Sequence, residues 1–209
     1  MPEKTTKPKT MDLSLKIYDK LSLAMGSSGT AYRGGLLALA RAFQSLPSFR
    51  RGNHVWNSGE LPAGLYYNLE AVFAEEDVQP DGKSIVRLVL PDQLFFCEET
   101  YFYNEPSTTR MRCITSGSVW HVSPSDYAAV HREYGLGYDL INLLSLKSLG
   151  EYLARTAQLL QCTPKVRLEQ AVRQYPSLLS ALTREELASF SLLSRSSVHR
   201  ILRKTYCRG

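Results

Sequence analysis

The sequence has no apolar run near the roughly 18 residues that a membrane-spanning helix needs. Its first residues, MPEKTTKPKT, lack the apolar segment of a secretory signal. Both absences predict a cytoplasmic protein with no membrane partner. Cysteine is scarce. Cys97, Cys113, Cys162 and Cys207 are spread through 209 residues without one Cys-x-x-Cys pair. That spacing argues against a zinc or iron–sulfur site and leaves reduced structural thiols. Histidine is equally thin, and His54, His121, His131 and His199 form no His-x-His pair. A metal enzyme on a cupin-like barrel would need such a pair, so no enzyme, no cofactor and no metal are expected.

Acidic residues are also short in one region. Between Thr163 and Gly209 nine lysines and arginines face only Glu169, Glu185 and Glu186, a surplus of six within a total net charge of +5. Residues 1–162 are therefore close to neutral. A neutral body with a basic end points to a polyanion as partner for that end.

What is present in the basic end is a pair of short amphipathic helices. Thr183 followed by Glu186 reads as a capping box, in which Thr accepts from the third helical N–H and Glu reaches back to the cap. Ser194 is placed to cap a second helix beginning at Arg195. Leu187 and Phe190 mark the apolar side of the first helix, and Val198, Ile201 and Leu202 that of the second. Arg195, Ser196, His199, Arg200 and Arg203 fall on the outward side. Two helices joined tightly, the second presenting arginines from its start, fit a helix-turn-helix reader of the DNA major groove. A helical hairpin with a solvated basic face is the competing reading.

The rest of the chain changes period twice. Residues 1–10 read as a disordered arm. Residues 11–46 read as helical pieces interrupted at Gly26–Gly29 and at Gly34-Gly35, with a short helix over Leu36–Phe43. From Phe49 to Val122 short β-rich runs alternate with turns. The strands drawn are His54–Trp56, Gly64–Phe73, Ser84–Leu90, Leu94–Phe96, Met111–Thr115 and Val119–Val122, with Pro80-Asp81-Gly82 as a hairpin turn. Many short strands with such turns predict an antiparallel sandwich or barrel. Ser123-Pro124 opens a helix through Arg132, and a long helix follows from about Tyr138 to Gln161. Leu146, Leu149, Leu153 and Leu160, with Thr156 in the vacant place, form a heptad-like series suited to a dimer seam. Leu140, Leu143, Leu144 and Ala157 widen the stripe towards a second face. Thr163-Pro164 caps and opens a helix over Val166–Tyr175. The fold class is α+β, and the order is β-rich body, long helix, basic helical unit.

That order and those residues resemble the cyclic-AMP receptor and Fnr (Crp/Fnr) family of bacterial transcription regulators. The match is strongest in TREELA and SRSSVHRILRK, about ten positions at fixed spacing. Gly59-Glu60, Gly64-Leu65-Tyr66-Tyr67 and Pro80-Asp81-Gly82-Lys83 match the family's effector jelly roll more loosely. The resemblance implies four parts: an N-terminal arm and helical lead-in (1–35), an effector-like, cyclic-nucleotide-binding-like β-barrel (36–136), a dimerisation helix (137–162) and a helix-turn-helix domain (163–209). It also implies a homodimer on double-stranded DNA with an inverted-repeat operator, and RNA polymerase as a candidate partner.

Residue by residue, Arg195, Ser196, His199 and Arg200 take the family's base-reading positions. Arg184, Ser194, Ser197, Arg203 and Lys204 take positions near phosphates. Departures are informative. Members that bind cyclic AMP carry Phe-Gly-Glu and later Pro-Arg before a small residue, whereas this chain has Phe96-Cys97-Glu98 and Pro106-Ser107-Thr108. The phosphate-pairing arginine is replaced by Ser107 and the close-approach glycine by Cys97, so the cassette reads as degenerate and cyclic-nucleotide binding is not expected. His54, His121 and Cys113 are the individual candidates for a haem ligand. The family's C-terminal wing has no counterpart after Lys204, and Leu192 stands where the interhelical turn usually carries glycine. The alternative function is a protein-interaction module whose helical unit does not read DNA specifically.

Overall fold

Eight short strands among the described residues build two four-stranded antiparallel sheets. In chain order they are β1 (Gln44–Ser45), β2 (His54–Trp56), β3 (Leu65–Asn68), β4 (Val72–Gln79), β5 (Gly82–Val89), β6 (Gln93–Phe95), β7 (Thr109–Thr115) and β8 (Val119–Val122). One sheet has the order β1-β8-β3-β6 and the other β2-β7-β4-β5. The structure, a computed structural model, describes residues 10–79, 82–136 and 139–206. The N-terminal arm expected over residues 1–10 thus lies almost wholly outside the described residues, as do Pro80 and Asp81 of the expected hairpin turn.

The helices are α1 (Thr10–Met25), α2 (Arg33–Ala42), α3 (Pro124–Tyr134), α4 (Asp139–Gln161), α5 (Pro164–Gln174), α6 (Leu178–Ala181), α7 (Arg184–Ser191) and α8 (Arg195–Tyr206). A 3₁₀ turn at Gly26–Thr30 and a π turn at Glu99–Tyr103 complete the elements. The α+β class stands.

Alternation along the strands assigns side chains to three cores. The inner faces of the two sheets meet at Trp56, Tyr66, Phe73, Phe95, Met111 and Val119, with Tyr66 and Phe95 rings stacked 5.2 Å apart. On β3, Tyr66 points inward while Leu65 and Tyr67 point outward into a second core. There they meet Ile17 and Leu21 of α1, Leu36 and Leu39 of α2, Tyr127 of α3, and Leu140 and Ile141 of α4. On β4, Phe73 points inward while Val72 and Ala74 point outward. With Ile85 and Ile114 they join Leu168, Leu187, Val198 and Ile201 of the basic helices in a third core. Both sheets are therefore covered on both faces, although β4, β5 and β7 carry charged residues among their apolar ones.

Several expectations need correction. The strand drawn over Gly64–Phe73 is two strands. Asn68, fully buried, donates through Nδ2 to the carbonyls of Ala71 (2.6 Å) and Leu90 (2.7 Å) and accepts from Ala71 N. Such a side chain replaces the ladder with a local turn. The strand that follows, β4, extends through Glu75-Glu76-Asp77, whose charges hide its β character. Gly34-Gly35 does not interrupt a helix but lies in the first turn of α2. A Cβ on Gly35 would come within 3.0 Å of Tyr134 Cβ, so the glycine lets α2 and α3 approach. Thr163 occupies the N-cap position of α5 without a side-chain capping bond, unlike Ser123, whose Oγ accepts from Asp126 N at 3.1 Å.

Candidate nucleic-acid interface

The two helices of the basic end form as their caps dictate. Thr183 Oγ1 accepts from Glu186 N (3.1 Å), and Thr183 N donates to Glu186 Oε2 (2.8 Å), closing the capping box of α7. Ser194 Oγ accepts from Ser197 N at 3.2 Å and starts α8. Leu187 and Val198 are buried at 2% and 0% exposure, fixing which sides of α7 and α8 face inward.

Between the helices Leu192 adopts φ 49°, ψ 52°. Its N–H donates to Ser189 O, and Leu193 N–H donates to Ala188 O at 2.9 Å. These paired bonds define a Schellman ending with leucine where glycine is usual. A Cβ-bearing residue in the left-handed region costs of the order of 1 kcal/mol. Leu192→Gly should therefore stabilise the chain by about 0.5–1 kcal/mol, allowing for glycine's greater freedom when unfolded. An increase in urea midpoint at unchanged slope would show it; a decrease would contradict the strain.

Opposite the buried stripe, α8 exposes Arg195, Ser196, His199, Arg200, Arg203 and Lys204, while Ser197 is half-buried. Arg184 is exposed at the start of α7. The hydroxyls of Ser194 and Ser197 are engaged with one another at 2.9 Å, and Ser194 also contacts Ser196 at 3.0 Å. The structure thus brings the four residues expected to read bases onto one exposed surface of one helix, with Arg203 and Lys204 further along it.

The sequence did not reveal what α7 rests on. Glu186, already committed to the cap, also accepts from Arg112 Nη1 (3.1 Å) and Arg51 Nη2 (2.5 Å). Arg112 in turn shares Glu76 with Arg110: Arg112 Nη2 lies 2.6 Å from Glu76 Oε1 and Arg110 Nε 2.8 Å from Oε2. Glu76 is 1% exposed. Burial opposes its charge, yet the two guanidinium groups outweigh burial and hold its carboxyl below the usual range. Ser189 of α7 also accepts from the β5 backbone at Ile85 N (3.0 Å). The first helix of the pair is thereby tied to the β4–β5–β7 sheet.

The residues expected to form a dimer seam are exposed along α4, and Leu146 and Leu149 among them border a cavity between α4, β4 and the π turn. Leu146, Leu149, Leu153 and Leu160 are exposed by 64%, 54%, 60% and 82%, whereas Leu140 and Ile141 are buried. The second face expected of this helix is present, though Leu143 is exposed rather than buried with Leu140.

The cassette residues surround the π turn. Phe96 is buried edge-on to Tyr101, and Cys97 is buried beside Thr100. Ser107 is buried, donating through N to Glu60 O (2.8 Å) and through Oγ to Thr109 O (3.0 Å). Pro106 and Thr108 are exposed, and Glu98 lies 3.5 Å from Arg87. Glu99, which no sequence motif marks, accepts both the N–H of Thr108 (2.9 Å) and its hydroxyl (2.5 Å). The adjoining cavity, about 730 Å³ between β4, the π turn and α4, is lined by Glu75, Asp77, Glu98 and Glu99 against one arginine, Arg87.

Of the individual haem-ligand candidates, the His121 ring bonds the carbonyl of Ala63 at 2.8 Å. Gly64 is positive in φ there, and a Cβ on it would collide with Val122 O and the His121 ring. Cys113 is fully buried and donates to Thr115 O at 3.0 Å, and burial pushes its thiol up to about 11. Burial lowers His54, whose Nε2 has no partner among the described residues. No group of three or more histidine, cysteine or acidic side chains suited to a metal occurs among the described residues. Nor is any described helix long and apolar enough to cross a membrane.

Several solved structures of bacterial regulators share this fold. The global regulator CLP of Xanthomonas campestris, described as c-di-GMP responsive, matches with a TM-score of 0.64 at 16% identity, over 84% of this chain and 92% of that one. FixK2 of Bradyrhizobium japonicum matches at 0.63 and 15%, over 80% and 86%. A transcriptional regulator of the CRP family from Thermus thermophilus matches at 0.59 and 20%, over 76% and 83%. The chain therefore has the fold of Crp/Fnr regulators. No family model matches it, and no curated relative does.

Proposed function

We propose that the chain is a homodimeric, sequence-specific DNA-binding transcription regulator that reads an inverted-repeat operator and does not respond to cyclic AMP. The observation that carries this reading is the outward face of α8. A single amphipathic helix, capped at its start and buried on one side by Val198 and Ile201, offers Arg195, Ser196, His199 and Arg200 together to solvent. Its N-terminal turn can enter a major groove, where an arginine fork matches guanine O6 and N7. Arg184, Ser194, Ser197, Arg203 and Lys204 lie towards the backbone side of such a complex. The four parts expected from the sequence are then a lead-in over residues 1–35, a jelly-roll effector body to 136, a dimerisation helix to 162 and a helix-turn-helix unit beyond.

The readout roles separate in a binding assay on operator and random duplexes. Arg200→Ala should weaken operator binding by about 1–3 kcal/mol and relax preference at one base pair, while Arg184→Ala should weaken both duplexes alike. Equal losses from both variants on both duplexes would remove the assigned roles.

Independence from cyclic AMP is supported at the π turn. Glu99 occupies the Thr108 N–H and hydroxyl, and the neighbouring cavity gathers four carboxylates around one arginine. A phosphate would enter unpaired among negative charges, which disfavours it strongly. Titration calorimetry with cyclic AMP or cyclic GMP should give no heat at micromolar concentration; a micromolar Kd for either would overturn this part.

A further inference from the structure

A second cavity, about 400 Å³, lies between β5, α4, α5 and the end of α7. Val86, Leu88, Tyr175 and Phe190 give it apolar walls, Arg87 and Arg155 add two guanidinium groups, and Lys147 and Glu151, 4.0 Å from one another, add one charge of each sign. Arg87 is neutralised by Glu75 at 2.7 Å and Glu98 at 3.5 Å. Arg155 is different. Its Nη2 donates to the carbonyls of Ile85 (2.7 Å) and Phe190 (2.6 Å), and its guanidinium carbon sits 4.3 Å from the centre of the Phe190 ring. It has no carboxylate partner among the described residues, and its Nη1 is buried with no hydrogen-bond acceptor. Nη2 of Arg87 is buried and unmet in the same way. Burial pulls Arg155 down to about 10, which still leaves it charged at neutral pH.

A buried cation without a carboxylate partner costs several kcal/mol, and an anion placed beside it lowers that cost. Arginine's planar fork suits a carboxylate or phosphate. The apolar walls ask for an apolar body, and the volume is that of a small-molecule site. We propose that this cavity binds a small amphipathic anion, an apolar body carrying one carboxylate or phosphate headgroup that pairs with Arg155. Because Arg155 also holds the carbonyl of Phe190 in α7, an occupant would brace the basic helices against β5. That consequence rests on the regulator reading; the binding itself does not.

The test is titration calorimetry on the full chain without DNA. The probes are 4-phenylbutyrate and 3-phenylpropyl phosphate, with neutral 4-phenylbutyramide and cationic 4-phenylbutylamine as controls. At least one anion should bind ten-fold or more tightly than the amide, with no binding of the amine, and the tighter of the two anions identifies the headgroup. Arg155→Leu should weaken that anion at least ten-fold. Ala171→Trp, which fills the cavity from α5 and leaves Arg155 in place, should do the same if Arg155→Leu fails to fold. Absence of binding by both anions, equal binding of anion and amide, or unchanged affinity in a folded variant would overturn the proposal. Operator binding measured separately distinguishes the two readings: intact DNA binding without anion binding removes only this site, and anion binding without DNA binding removes only the regulator.

Discussion

Glu76→Ala is expected to destabilise the chain by about 3–5 kcal/mol, the cost of breaking a buried ion pair and leaving charge uncompensated. Glu76 is 1% exposed and shared by Arg110 and Arg112, whose side chains are only 24% and 12% exposed. Removing one carboxylate strands both guanidinium groups. Arg112 is then free to pull Glu186 away from the α7 cap, so damage at β4 reaches the basic helices. Arg51→Ala, at the rim of the same network, should cost less than about 1 kcal/mol, since its side chain is 44% exposed. Urea unfolding measures both, and a loss below about 1 kcal/mol for Glu76→Ala would show that the network is not stabilising. The pH dependence follows in sign. The folded-state value of Glu76 lies below its ordinary value near 4.5, and Glu186 is lowered too: burial opposes its charge, while the Thr183 bonds and Arg112 and Arg51 outweigh burial. Their stabilisation is thus present above about pH 4.5 and is lost as pH falls through the lower folded values. Glu76→Ala should lack its share of that acid loss.

The double variant Leu149→Glu with Leu153→Glu should convert a dimer to a monomer without lowering monomer stability. Both leucines are more than half exposed, so neither supports its own subunit's core. Facing a twin helix, two introduced carboxylates per chain would put four like charges in one apolar seam. On the proposed reading a monomer would hold one half-site, so operator affinity should fall by about 100-fold or more through lost multivalency. Sedimentation and gel-shift titration report the two effects. A dimer surviving the double substitution, or a monomeric parent chain, would remove the seam from α4.

Much of the candidate site was legible because local rules set it. The capping box at Thr183 and Glu186, the cap at Ser194 and the apolar spacing of Leu187, Val198 and Ile201 are short-range patterns, and the structure keeps all of them. His54–Trp56 and Val119–Val122 were legible as strands for the same reason: apolar residues bounded by turn formers. What sequence hid depended on distant partners. Glu75-Glu76-Asp77 falls outside the strands drawn from sequence, because Arg87 of β5, which pairs with Glu75, and Arg110 and Arg112 of β7, which pair with Glu76, are distant in the chain. Asn68 divides one apolar run into two strands through its local bonds with Ala71, and its burial there is completed by the Leu90 carbonyl from further along the chain. Glu99 carried no visible signal, since its donors come from Thr108 across a loop. The cation of Arg155 likewise lies on an ordinary helical position, and only the fold leaves it without a carboxylate partner among the described residues.

The third core joins Val72, Ala74, Ile85 and Ile114 of the sheet to Leu168, Leu187, Val198 and Ile201 of the basic helices. Among the described residues each set finds its apolar partner on that side in the other. Body and basic end consequently share one cooperative unit, and heating should melt them in a single transition rather than two. A swing of α7 and α8 away from the sheet would open that core to water, so it calls for a compensating surface: DNA, a twin chain or a bound anion.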